Sequence, residues 1–139
     1  PQPALMAFDT PTREKCVLKR QRTNTPMQAL ITLNDEQFVE ASRVFAERIL
    51  KSGRSDFNGR LDFAFELATA RLSDELRRSV LKSAHDEQLE LFQKEPERAK
   101  QLLAFGDSKP DESLNSAEHA TWTLLASMIL NLDETLNRE

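Results

Sequence analysis

The run "ATWTLLASMILNL", residues 120–132, is apolar on nearly every side when wound as a helix. A helix of that kind cannot lie on a surface, so several neighbours must cover it. Thr121, Thr123, Ser127 and Asn131 interrupt it, and it falls short of the ~20 apolar residues that cross a bilayer. It reads as the buried centre of a bundle. The rest of the chain carries apolar residues at helical spacing and no glycine-dense, period-2 strand pattern. The expected fold is all-α, an irregular bundle of five to seven helices around a central C-terminal helix, with an extended N-terminal arm. Residues 1–25 form the arm and residues 26–139 the helical domain, a length that fits one core.

Residues 1–25 hold three of the six prolines, which bias the backbone toward extended conformations. Leu5, Met6, Phe8 and Val17 suggest that this arm lies against a surface. Thr25-Pro26 is a strong helix start, since threonine caps well and proline at the first helical position loses no needed donor. Met27, Leu30, Ile31 and Leu33 follow, and Asn34-Asp35 either kinks this helix or caps a second. There Phe38, Ala41, Ser42, Phe45 and Ile49 recur up to Lys51-Ser52-Gly53. Leu61, Ala64, Phe65 and Ala68, with Leu72 beyond, mark a third helix. Ser73 is placed to cap a long helix over about 74–94 with Leu76, Val80, Ala84 and Leu91 along one side. Leu81, Gln88 and Phe92 extend that face. Pro96 starts a short helix carrying Ala99, Leu102 and Leu103, stopped by Gly106, and Ser116 is placed to cap the final one. Glu118 falls in its first turn, where a carboxylate complements the helix dipole.

Net charge is −4, so no global field favours nucleic acid, and the basic excess is local, from Arg13 to Arg22. One cysteine, Cys16, rules out an internal disulfide and a Cys-x-x-Cys-His haem attachment in this stretch. No cofactor and no metal is expected, because a zinc site needs about four close ligands. Three glycines leave almost no room for a phosphate-cradling loop. Cys16 has Lys15 and Lys19 nearby in sequence but neither a base nor an oxyanion site. His85 reads as solvated, and His119 as a satisfied, partly buried histidine rather than a ligand. Trp122, Phe38, Phe45, Phe63 and Phe65 read as core. No catalytic constellation is present, and whether the chain belongs to an enzyme stays open.

The most distinctive stretch is "KRQRTNTPMQAL", residues 19–30. Its candidate binding residues are Arg20, Arg22, Asn24 and Thr25, with the arginines as a clamp for an anion at the helix start. The competing reading makes Thr25 a cap, Asn24 a turn residue and the arginines partners of carboxylates. Pro26 has no N–H to donate and no glycine brings the backbone close to a phosphate, so the second reading is preferred.

The segments "PALMAFDTPTREKC", "RQRTNTPMQALITLND", "FVEASRVFAERIL" and "TLLASMILNLDETLNRE" resemble the C-terminal part of a planctomycete family of unknown function. That family typically reads Arg-Thr-Asn-Thr-Pro-Leu-Gln-Ala-Leu, where this chain has Met27 for the leucine, and closes on Leu-Asn-Leu-Asp-Glu-Phe, where Thr135 replaces the phenylalanine. The resemblance implies a long, exported multidomain protein of the cell envelope, often with a cytochrome-c-like domain near the N-terminus. It implies that the chain is the end of a larger domain whose partners are upstream domains of the same polypeptide, with room for a further protein partner. It brings no catalytic residue. The function it suggests is a non-catalytic packing or interaction module at the C-terminus. The alternative is a part of an envelope enzyme acting on polysaccharide, whose site upstream domains complete.

Overall fold

The computed structural model describes residues 36–132, in which five helices and no strand occur. They are α1 (Glu36–Leu50), α2 (Phe57–Thr69), α3 (Glu75–Lys94), α4 (Pro96–Leu103) and α5 (Ser116–Leu130). The all-α class follows from the helical spacing of the apolar residues. The expected arm over residues 1–25 and the helix start at Thr25-Pro26 lie outside the described residues.

Helix α5 is the hub. Ala120, Trp122, Leu125, Ala126 and Ile129 are buried on it, and it packs most extensively along α1 while also meeting α2, α3 and α4. One core cluster joins Phe45, Ala46 and Ile49 of α1, Leu61, Ala64 and Phe65 of α2 and Leu81 of α3 to Trp122, Leu125 and Ile129. A smaller one sets Phe92, Ala99 and Leu103 against Ala120. Each large aliphatic or aromatic side chain so buried contributes about 1.5–3 kcal/mol.

Two caps differ from the sequence expectation. Asp74, not Ser73, caps α3: its backbone is extended and its side chain accepts from the Arg77 N–H at 2.7 Å. Ser73 is instead buried and donates to Asp62 Oδ1 at 3.3 Å. Asn115, not Ser116, caps α5 by accepting from the Glu118 N–H at 3.1 Å, which leaves Ser116 as the first helical residue. In both pairs the residue with extended φ/ψ and an oxygen able to reach the third N–H takes the position.

The apolar stripe of α3 also differs. Leu76 and Val80 are 76% and 56% exposed, while Leu81 and Phe92 are buried. Leu76 and Val80 stand roughly 100–140° around the helix from Leu81. The bond from Arg78 Nη2 to Asp62 Oδ1 at 2.8 Å fits the rotation that turns Leu81 inward. On α1, Ala41 faces solvent and Arg43 takes an interior place.

Candidate functional site

Glu40, Arg43, Glu47 and Lys51 follow one another at steps of three, four and four, so they form a single row along α1. The row faces the loop between α4 and α5. Glu40 accepts from the Ser108 N–H at 2.8 Å and from the Ser108 hydroxyl. Arg43 donates through Nη2 to the Ser108 carbonyl at 2.9 Å and to its hydroxyl, and through Nη1 to Glu47 Oε1 at 3.4 Å. Glu47 Oε1 also accepts from the Asp111 N–H at 3.2 Å. Lys51 pairs with the Asp111 carboxylate. Gly106 explains how the loop comes so close: its φ is +95°, and a Cβ there would stand 2.5 Å from Glu40 Cδ. Only glycine suits that passage.

His119, in the first turns of α5, completes the cluster from the other side. It and Arg43 are each 1% exposed. Its Nε2 lies 3.4 Å from the Arg43 carbonyl and 3.6 Å from Glu47 Oε1. A carbonyl partner assigns the proton of the neutral ring to Nε2. Nδ1 is then a bare acceptor, and among the described residues neither it nor Arg43 Nε has a hydrogen-bond partner.

The electrostatics follow from these contacts. Burial holds the His119 imidazolium pKa below its ordinary 6.5, against the opposing pull of the Arg43 carbonyl and Glu47. Hydrogen bonds from Ser108 lower the Glu40 carboxyl. The Lys51 ammonium, then the Ser113 hydroxyl and N–H, hold Asp111 far below the usual carboxylate range. Asp111 in turn raises Lys51. These groups stabilise one another in charged, paired states, while His119 is kept neutral.

An imidazole, a carboxylate and a serine in one cluster invite a catalytic interpretation, but the geometry assigns each a different task. The serine hydroxyl is bonded to Glu40 and Arg43, and the ring nitrogen of His119 is turned to a backbone carbonyl. A nucleophile and its base must share a hydrogen bond, and no such bond joins Ser108 to His119 among the described residues. No group of three His, Cys, Asp or Glu side chains there is placed to hold a metal ion.

A second feature is an open cavity of about 300 Å³ lined by Asp56, Phe57, Asn58, Glu75, Arg78, Ser79 and Lys82. Its cations are engaged: Arg78 with Asp62, and Lys82 with Asp86 at 2.8 Å and with the Phe57 ring at 5.0 Å. Asp56 caps α2 through the Gly59 N–H at 2.8 Å. Phe57, which lines the cavity, also forms a three-ring cluster with His85 and Trp122, with centroids 5.1–5.7 Å apart. His85 is therefore not the solvated residue expected from its charged neighbours. Its side chain is 12% exposed, because Phe57 and Trp122 arrive from two other helices.

Arg20, Arg22, Asn24 and Thr25, the binding candidates of the sequence, lie outside the described residues, as does Cys16. His119 is more deeply buried than its position suggested. Phe45, Phe65 and Trp122 are core, and Phe63 is half-buried beneath the Arg54 guanidinium. Arg43 is the residue that sequence reasoning missed; its signal was the alternating-sign row at 40, 43, 47 and 51.

Among the described residues no helix is long and apolar enough to cross a membrane. No curated protein and no solved structure matches the chain. A model of the PSD1 family, described as a protein of unknown function (DUF1553), matches residues 1–85. That span takes in the "RTNTPMQAL" run, α1, α2 and the first half of α3, and stops short of α5. With more than half of its 139 residues matched, the chain belongs to the PSD1 family of proteins of unknown function.

Proposed function

We propose that this chain is a non-catalytic packing or interaction module that ends a multidomain exported protein. The resemblance to planctomycete sequences supplies the context: a cell-envelope polypeptide with a cytochrome-c-like domain elsewhere and upstream domains as the first partners. The arm of residues 1–25 and the helical domain of residues 26–139 belong to this reading. The observation that carries it is the use made of the α1 row. Glu40, Arg43, Glu47 and Lys51 are all spent on one loop of the same domain, and His119 closes the cluster from within. Groups able to do chemistry are here employed in holding α1, the α4–α5 loop and α5 together. By the same logic Arg20 and Arg22 serve the fold or a domain contact, Asn24 a turn and Thr25 a helix cap.

Thermal-shift titration with phosphate, sulfate and short oligosaccharides tests this. No saturable stabilisation is expected from any of them. A saturable rise in Tm that disappears in Arg22→Ala would make residues 19–30 a binding site and would revive the envelope-enzyme reading.

A further inference from the structure

We propose that Asn58 is a site of spontaneous self-modification, converted to aspartate and isoaspartate by its own backbone, and that the Asp56 cap sets the rate. The chain holds six asparagines, and Asn58 alone is followed by glycine. Glycine carries no side chain to hinder attack of its nitrogen on the preceding amide, and it reaches the backbone conformations that ring closure requires. Asn58 is exposed, at the second position of α2.

The reaction needs only water. The Gly59 nitrogen gives its proton to hydroxide, and its electron pair forms a bond to Asn58 Cγ. The Cγ–Nδ2 bond breaks, and Nδ2 leaves as ammonia with a proton taken from water, which restores the hydroxide. Water then opens the cyclic imide. Addition at Cγ gives aspartate, and addition at the backbone carbonyl of residue 58 gives isoaspartate.

The fold opposes the first step in two ways. The Gly59 N–H is among the donors that a helix start leaves outside the ladder, and it is given to Asp56 Oδ2 at 2.8 Å. A carboxylate on that N–H disfavours its ionisation, because a second negative charge would form beside the first. Helical backbone at Asn58 also tilts its side chain toward the start of α2, away from the nitrogen that follows. The same cap requires glycine: a Cβ on residue 59 would stand 2.8 Å from Asp56 Oδ1 and push the carboxylate aside. The residue that makes room for the cap is the one that makes Asn58 labile, and the cap shields it. Conversion proceeds when the first turn of α2 opens.

The two products differ in effect. The first turn of α2 holds no acidic residue, so an aspartate at 58 meets the positive end of the helix. Isoaspartate adds a backbone carbon between residues 58 and 59 and removes the spacing on which the cap depends. Phe57, one residue earlier, belongs to the ring cluster with His85 and Trp122.

Peptide mapping by mass spectrometry, with isoaspartate quantified separately, follows the complete chain during incubation in mildly alkaline buffer. Wild type is compared in buffer and in guanidinium chloride, beside Asp56→Ala and Asp56→Ser in buffer. Both products are expected at residue 58, more slowly in the folded chain than in denaturant. Asp56→Ala should speed conversion about fivefold, as loss of a cap shifts the opening equilibrium, and Asp56→Ser should restore most of the protection. Circular dichroism checks that the variants stay helical. Should Asp56→Ala fail to fold, the wild-type comparison of buffer with denaturant decides. Absence of isoaspartate at 58 in denaturant, equal rates in buffer and denaturant, or a rate that a folded Asp56→Ala leaves unchanged would overturn the proposal.

Discussion

Arg43 has a planar fork with three nitrogens, and the fold uses two of them to join Glu47 to the Ser108 backbone. Removing it strands Glu47 and Glu40 beside a loop they were positioned to hold. Because both carboxylates keep an edge toward water, Arg43→Met should cost about 3 kcal/mol, the low end for breaking a buried pair. Arg43→Lys should recover little, since a single ammonium nitrogen cannot stand in both places that the two guanidinium nitrogens occupy. Urea melts of the three proteins check both statements. The same cluster sets an acid limb. His119, Glu40 and Asp111 all have folded-state pKa values below their ordinary ones of 6.5, 4.5 and 3.8. For each, the unfolded chain binds protons more readily, so stability is complete above the unfolded pKa and is lost as pH falls. The His119 contribution should begin to fade below 6.5 and the carboxylate contributions only in the more acid range. Tm measured from pH 7.5 to 3.5 should therefore fall in two stages, and His119→Gln should abolish the first. A first stage that persists in that variant would move the proton to another group.

At the scale of the helix, contrasts between neighbours carry the predictions. Leu125→Ala and Ile129→Ala should each destabilise by roughly 2–5 kcal/mol, as truncations in a filled core do, whereas Leu76→Ala should stay within about 0.5 kcal/mol. Asn115→Ala should cost about 1 kcal/mol and Ser116→Ala much less, which denaturant melts resolve. These contrasts also show what was legible beforehand. The apolar surround of residues 120–132 made α5 the centre without any structure, and the helical spacing of Leu61, Ala64, Phe65 and Ala68 marked the buried side of α2. Which of two adjacent capping residues takes the cap depends on backbone dihedrals that composition does not encode. The rotation of α3 was equally hidden. Its apolar residues cover so wide an arc that either Leu76 and Val80 or Leu81 and Phe92 could have faced inward. The tie from Arg78 to Asp62, a contact between helices, accompanies the second choice. The Arg43 cluster was hidden for a similar reason: its partners lie 65 and 76 residues away, in a loop and on α5.

For the whole molecule, the family match and the physical domain do not share a boundary. The match ends inside α3, yet the core that buries Phe45, Ile49, Leu61 and Phe65 is completed by Trp122, Leu125 and Ile129. Residues 1–85 alone therefore expose the faces of α1 and α2 that α5 covers, and that fragment should be aggregation-prone when expressed. The charged row of α1 has no counterpart in it either, since Ser108, Asp111 and His119 are gone. Deletion of residues 116–139 asks most directly whether α5 organises everything else. Thermal unfolding followed by far-ultraviolet circular dichroism should show helical signal without a cooperative transition in the deleted chain, beside a sigmoidal melt in the complete one. A cooperative melt of the deleted chain near the Tm of the complete chain would contradict the central place given to α5.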